Sequence, residues 1–252
     1  AEELTDAAGD ASVPHLAPIL ANPKRPTDDR LAAQWALSRI GTPRAMQCIV
    51  EQLSCDQPQI VQAACHAVSL HRYAEAREIL ESLLSHDDPH VRRVATEALG
   101  RIGDPRSAQP VLASMDQVDH DRHLQHSLVH ALIELSRQHP SLGIAGLAES
   151  DAQFRAALMV HDQLGQLDQL DRRRVLSALE SDDQALRLTA AKIVSKQKGW
   201  AADSVEWLNR LWQQLEKRDS AGSDVLAQIA AGWKDVPPAD RQITQWVDGA
   251  SD

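Results

Sequence analysis

The sequence predicts an all-α fold of the α-solenoid kind, and three observations predict it. Alanine (37) and leucine (30) supply 67 of the 252 residues while Phe, Trp and Tyr total eight, so the apolar content comes from strong helix formers rather than strand formers. Apolar residues fall at i, i+3, i+4, i+7, i+8 and i+11, one stripe of a 3.6-residue helix. That stripe recurs every 30–33 residues, a period that belongs to stacked helix pairs. An all-β sandwich or barrel is excluded.

The clearest unit is Asp87–Pro105, DDPHVRRVATEALGRIGDP. Moving back 31 residues places Asp56, Pro58, Ile60, Ala63, Ala64, Ala67 and Val68 under its matching positions. A further 31 places Ala33, Ala36, Leu37, Ile40, Gly41 and Pro43. Forward, Leu124, Leu128, Ala131, Leu132 and Leu135 match at an offset of 33; Phe154, Ala157, Leu158 and His161 match at 63; Leu186, Arg187, Ala190, Ile193 and Val194 match at 95. Six copies of one helix result. Asp or Ser before each stripe can cap first-turn N–H groups, and Pro89 suits the start of that turn. Gly41 and Gly103 end the stripe, and Pro43 and Pro105 open a second helix. The second helices are expected at Pro43–Leu53, Ala74–Leu84, Pro105–Met115, Leu142–Ala148 and Leu170–Leu179. A pair this short cannot bury both faces alone, so neighbours stack. Residues 1–198 read as a solenoid of about six helix pairs, including an N-terminal half repeat.

Residues 199–252 read as a Trp-rich helical cap of the same domain. Trp200, Trp207, Trp212, Trp233 and Trp246 gather there, on helices expected at Ser204–Lys217 (capped by Asp203), Asp224–Trp233 and Pro238–Val247. Large rings would shield the last repeat's apolar face; the alternative is an aromatic docking surface.

Charge narrows the partners. The formal net charge is −10, which disfavours a grip on nucleic-acid phosphates. Cys48, Cys55 and Cys65 fit no disulfide framework. No apolar run approaches the roughly 18–20 residues of a membrane span. Position 1 is Ala and no apolar signal segment is present, which reads as an end made by processing or by excision of a domain. The residues themselves name no compartment.

The pattern D-D-P-x-V-R-x-x-A-x-x-A-L-G-x-I-G-D-P at Asp87–Pro105 resembles the HEAT repeat in its phycobilisome-lyase-like variety. Weaker copies at Asp56–Val68 and Asp182–Val194 are similar, and together they cover about Asp28–Gln197. A narrower resemblance lies in the order His123–Leu135 (HLQHSLVHALIEL), Arg155–Leu164 (RAALMVHDQL), Ser181–Val194, then Gly199–Trp200. It is similar to the HEAT segment of large multidomain dehydrogenase-like proteins from planctomycete-type bacteria. That resemblance implies a sugar-dehydrogenase-like propeller before the segment, a c-type haem domain after it, and a periplasmic or cell-envelope location. The haem motif C-x-x-C-H is absent, because Gln62 stands three before Cys65.

The histidines are the most suggestive candidates. His120, His123, His126 and His130 share one helix, and His126 and His130 are spaced i, i+4 as two imidazoles on one metal would be. A third ligand would have to come from Asp121 or His66. The favoured reading is a solvated, histidine-rich face with no metal and no cofactor. His-Glu dipeptides of the iron-dependent HEAT hydroxylases do not occur, nor do G-x-x-x-x-G-K, G-x-G-x-x-G, G-x-S-x-G or H-E-x-x-H. Arg30, Arg92, Arg155 and Arg187 recur at one repeat position, with Asp28, Asp88, Asp151 and Asp183 upstream, and are expected to pair between repeats; the alternative is an arginine row facing an acidic partner. Asp162, where other copies carry Leu99 or Leu132, is expected as an internal cap. The expectation is a non-catalytic scaffold for a protein partner or for neighbouring domains of the same polypeptide. Its working surface is the inner curve, lined by Trp35, Gln62, His66, Arg93, Glu97, His126, His130 and Lys192. The alternative is an accessory domain that positions the catalytic and haem domains of a larger exported redox protein.

Overall fold

The computed structural model describes residues 9–118, 121–201, 209, 220–234 and 236. Among them every regular element is helical, and the fold is an all-α solenoid. Backbone contacts divide the chain into two compact units, residues 1–144 and 145–252.

The first unit begins with α1 (Val13–Ala21), packed on α2 (Thr27–Ile40) and α3 (Pro43–Val50). It continues through α4 (Pro58–Leu70), α5 (Arg77–Ser82), α6 (Pro89–Ile102), α7 (Ala108–Ala113) and α8 (Arg122–Gln138). α2, α4, α6 and α8 are the repeated first helices, each stacked against the next. Their stripes meet in the core: Leu37, Ile60, Ala64, Val68, Val91, Ala95, Leu99, Leu128 and Leu132 are all essentially inaccessible. Burial of each such leucine or isoleucine contributes about 1.5–3 kcal/mol.

The terminal chemistry explains the helix bounds. The Asp88 carboxylate accepts the His90 and Val91 N–H groups at 2.8 and 3.2 Å, and Asp121 does the same for His123 and Leu124 at 3.0 Å. Gly41 and Gly103 end α2 and α6 in the left-handed region, at φ +66° and +77°. Each of those ends is tied to the following repeat. The Nε2–H of His71 donates to the Ser38 carbonyl at 2.8 Å, and that of His139 to the Gly103 carbonyl at 2.7 Å.

The second helices are more broken than the sequence predicts. Ala74–Leu84 resolves into 3-10 turns at Ala74–Ala76 and Leu83–Ser85 around the six residues of α5; Pro105–Met115 divides the same way around α7. α3 gives way to a 3-10 turn at Glu51–Ser54. Only a short α9 (Ile144–Leu147) stands where Leu142–Ala148 was expected. Runs this short hold few i→i−4 bonds and take their place from packing, which tolerates the tighter 3-10 form.

The second unit contains α10 (Asp151–Leu164), α11 (Arg172–Ala178), α12 (Gln184–Lys196) and α13 (Ser220–Trp233). α11 covers the span expected as Leu170–Leu179, less its ends. Its core joins Phe154, Leu158, Leu186, Ile193, Val194, Ile229 and Trp233. Arg174 lies 4.2 Å over the Phe154 ring and donates to the Ala145 and Ala148 carbonyls. Trp233 is completely buried, and its indole N–H donates to the Val194 carbonyl at 2.9 Å, closing α13 onto α12. Trp233 thus fixes α13 against α12. Trp207, Trp212, Trp246, Asp203 and the expected helices Ser204–Lys217 and Pro238–Val247 lie outside the described residues, apart from Asn209, as does His120.

The expected arginine–aspartate pairs are not formed. Asp88 and Asp183 cap their own helices, while Arg92 and Arg187 donate to main-chain carbonyls just upstream, His86 at 2.8 Å and Ser181 at 2.7 Å. Arg30 departs further. It is 2% exposed, and its guanidinium donates to the Leu20 carbonyl (2.7 Å), Gln57 Oε1 (2.9 Å), Gln52 Oε1 (3.1 Å) and Cys55 Sγ (3.4 Å). Four neutral acceptors hold a buried cation, a solution the acidic spacing did not disclose.

Candidate protein-interaction face

Aligning the copies sets three columns on the uncovered side of the first helices. The first runs Trp35, His66, Glu97, His130; the second, one turn earlier, Gln62, Arg93, His126; the third, one turn later, Arg39, Leu70, Arg101, Glu134. All are exposed or half-exposed. The sequence reading named the first two columns and missed the third, although the same 31-residue offset carried four positions onward reaches it.

Neighbouring helices bring these residues together in pairs. Trp35 and His66 stand edge to face with ring centres 5.6 Å apart. Arg93 and Glu97 form an i, i+4 ion pair at 3.3 Å, with side chains 40% and 43% exposed, worth well under ~1 kcal/mol. Glu97 also accepts the Ser127 hydroxyl at 3.3 Å, which links α6 to α8. The His126 and His130 rings lie 6.5 Å apart. Two clefts open between α6 and α8. One, about 190 Å³, is lined by Glu97, Arg101, His126, Ser127, His130 and Glu134. The other, about 300 Å³, is lined by Pro89, His90, Arg93, Asp121 and His123.

Neither expected third metal ligand joins the histidine pair. Asp121 caps α8, and the Leu124 N–H foremost, with that of His123, holds its carboxyl below the usual range against the opposing effect of burial. His66 faces Trp35. Among the described residues no three His, Cys, Asp or Glu side chains converge as metal ligands, so His126 and His130 offer two imidazoles only.

In the second unit Lys192 is engaged rather than free. Its ammonium lies 3.1 Å from Asp162, which Lys196 also contacts. Asp162 is therefore an ion-paired carboxylate and not an internal cap. Burial pushes its pKa up, but hydrogen bonds from Lys196 and Lys192 outweigh that and hold it below the usual range. This unit also has a hollow of about 440 Å³ whose rim carries Glu149, Asp151, Glu180 and Asp182. All three cysteines are free thiols; Cys65 is fully buried, and burial pushes it up to about 12. No described helix is long and apolar enough to cross a membrane.

Paired helices stacked through a repeated core stripe, with one row of repeated positions left uncovered, define an α-solenoid repeat protein. Residues 49–133 match the family model of HEAT repeats. No curated protein matches it in sequence. Among solved structures it is similar to human deoxyhypusine hydroxylase in complex with glycerol (19% identity, 98% of this chain and 97% of that one, TM-score 0.41). It is also similar to the CpcE–CpcF complex of phycocyanin lyase from Nostoc (17% identity, 86% and 92%, TM-score 0.45). A third likeness is to importin beta (15% identity, 98% of this chain and 38% of that one, TM-score 0.43).

Proposed function

We propose that this solenoid is a non-catalytic scaffold for protein or inter-domain interaction, and that its working surface is the uncovered row of α2, α4, α6 and α8. One observation carries the reading. Among the described residues three large apolar side chains are exposed: Trp35 (44%), Leu70 (60%) and Leu188 (37%). All three fall in the aligned columns, Leu188 being the counterpart of Arg93. Covering the exposed part of such a side chain in a partner's interface recovers about 1 kcal/mol, and aromatic anchors dominate binding energy. Scattered placement would need no explanation; placement in three adjoining columns of the repeated first helix does.

A photo-crosslinking amino acid at position 35 or 70, in cells that make the full chain, tests this. Discrete adducts are expected from both sites, and few from position 75, which is exposed on the other helix layer. Equal capture at all three positions rejects the row as the working surface. The finer alternative, an accessory domain of an exported dehydrogenase–cytochrome protein, is supported by the sequence similarity of His123–Leu135 and Arg155–Leu164. The reading frame beyond Asp252 tests it: a C-x-x-C-H codon run is expected, and start and stop codons flanking Ala1 and Asp252 would eliminate it.

A further inference from the structure

We infer that the α6–α8 part of this row is a pH-gated surface, close to charge balance near neutral pH and cationic once its histidines take up protons. The inference rests on the scaffold reading and adds the regulation of that face. It comes from where the histidines lie and what they do. Five of the chain's eleven, His66, His90, His123, His126 and His130, fall on α4, α6 and α8, less than a fifth of its length. All five are exposed, and none makes a ring hydrogen bond among the described residues. Histidines elsewhere are committed. His71, His139 and His161 each donate a ring N–H to a main-chain carbonyl at 2.8, 2.7 and 2.8 Å, and His86 Nδ1 accepts the Asp88 N–H at 2.9 Å. The structural histidines are spread over the fold, and the free ones gather on the uncovered face.

Four of the five line the two clefts, His126 and His130 the smaller, His90 and His123 the larger. The charged groups facing them are Arg93, Glu97 and Arg101 from α6 and Asp121 and Glu134 from α8, a formal −1. Asp88, the cap of α6, adjoins His90 through the N–H it accepts. α4 contains no Lys, Arg, Asp or Glu, α5 and α7 put no charge into either cleft, and Arg92, Arg122 and Arg137 line neither. A proton on each of the four rings turns the lining from −1 to +3. Histidine is the side chain whose charge changes between about pH 8 and 5, whereas carboxylates ordinarily stay ionised at about pH 5.5. The His126 and His130 rings are 6.5 Å apart, inside the ~8 Å over which physiological salt screens charge, so their fields add. What the face accepts therefore changes with pH: the balanced lining selects weakly by sign, and the protonated lining draws anionic groups and repels cations.

A fluorescently labelled hexaglutamate peptide reports the switch without a known partner. Its affinity is measured by anisotropy at low salt, at pH 7.5 and 5.5, for the full chain and for the chain with His90, His123, His126 and His130 all changed to Gln. Circular dichroism at both pH values first shows each protein to be folded. Wild type is expected to bind roughly tenfold or more tighter at pH 5.5, and the fourfold variant to lose most of that gain. His15→Gln, off the row, should keep it. The paired variants, His90→Gln with His123→Gln and His126→Gln with His130→Gln, should each lose part of the gain, and they decide the matter if the fourfold variant does not fold. No gain in wild type, or an equal gain in the histidine variants, overturns the switch. Because the probe stands in for the partner, that failure leaves the scaffold reading to the crosslinking at positions 35 and 70. Failed crosslinking beside a gated probe would reject the scaffold and keep the switch.

Discussion

Gly100→Ala separates two opposed effects whose sizes the structure sets. Gly100 lies inside α6, where alanine would gain about 1 kcal/mol in helix propensity. A Cβ at that position would stand 2.8 Å from the Ala131 Cα and 3.0 Å from its Cβ, with Glu134 Oε2 at 3.2 Å. Carbon pairs prefer about 3.5–4.0 Å, so α6 and α8 must part by the better part of an ångström. The obstacle is backbone, which has no rotamer to change. Overpacking of this kind costs about 1–3 kcal/mol. The net expectation is a loss of about 1–2 kcal/mol, or a fall of about 2–8 °C in the melting temperature of the unit that contains it. Gly146→Ala is the control, because its Cβ meets nothing within 4 Å and its φ is not positive. Urea and thermal unfolding followed at 222 nm should place Gly100→Ala below wild type and Gly146→Ala at or slightly above it. If Gly100→Ala matches or exceeds wild type, the close approach of α6 and α8 is wrong, and with it the geometry of both clefts.

Other expectations follow from single groups. Trp233→Ala should cost about 3–5 kcal/mol, and Trp233→Phe only about 0.5–1.5 kcal/mol, because the Val194 carbonyl keeps the Gln197 N–H when the indole N–H is lost, both read by denaturant unfolding of the second unit. Arg106, bonded at 2.6 Å, and then Arg77 hold the Asp104 carboxyl down at about 2, below its unfolded value. Stability from this group is therefore present above about pH 4 and lost as pH falls toward 2; an Asp104→Asn melting curve that keeps the full acid limb would contradict it. A thiol reagent at pH 8 should modify Cys48 and Cys55 in the native protein and reach Cys65 only on adding denaturant, as mass spectrometry of the labelled peptides would show. Zinc or copper titration should give equal heats for wild type and His126→Ala with His130→Ala, since among the described residues no third ligand joins the two imidazoles to close a site.

The first helices were legible because the period held at each copy and caps or stops agreed with it at several. Ala95, Ala98 and Leu99 are buried where the stripe requires, Asp88 and Asp183 cap as their positions demand, and Gly41 and Gly103 carry the positive φ that ends each helix. The exposed row was legible for the same reason: a residue two positions from the buried stripe, as Glu97 is from Ala95 and Leu99, faces away from the core. Long-range polar partners were not legible. Asp162 aligned with leucines and gave no sign that Lys192 and Lys196 would reach it from the next first helix. Arg30 shared a column with the half-buried Arg92 and Arg187, and acceptors from Leu20, Gln52, Cys55 and Gln57, outside its own helix, allow its burial. Sequence offset reports which face a side chain occupies, not what chemistry arrives from the neighbouring segment.

Arg30 has one further consequence. Alanine recurs in two columns, Ala33, Ala64, Ala95 and Ala190, and Ala36, Ala67, Ala98 and Ala131, so among those copies the apolar core alone distinguishes the correct stacking only weakly. The acceptors of Arg30, drawn from the end of α1, the turn after α3 and the loop before α4, occur together once in the chain. A shifted stack would leave a guanidinium in the core with no acceptor, at a cost of several kcal/mol. In a molecule built by repetition, this residue is an index mark that tells the first repeat from its copies.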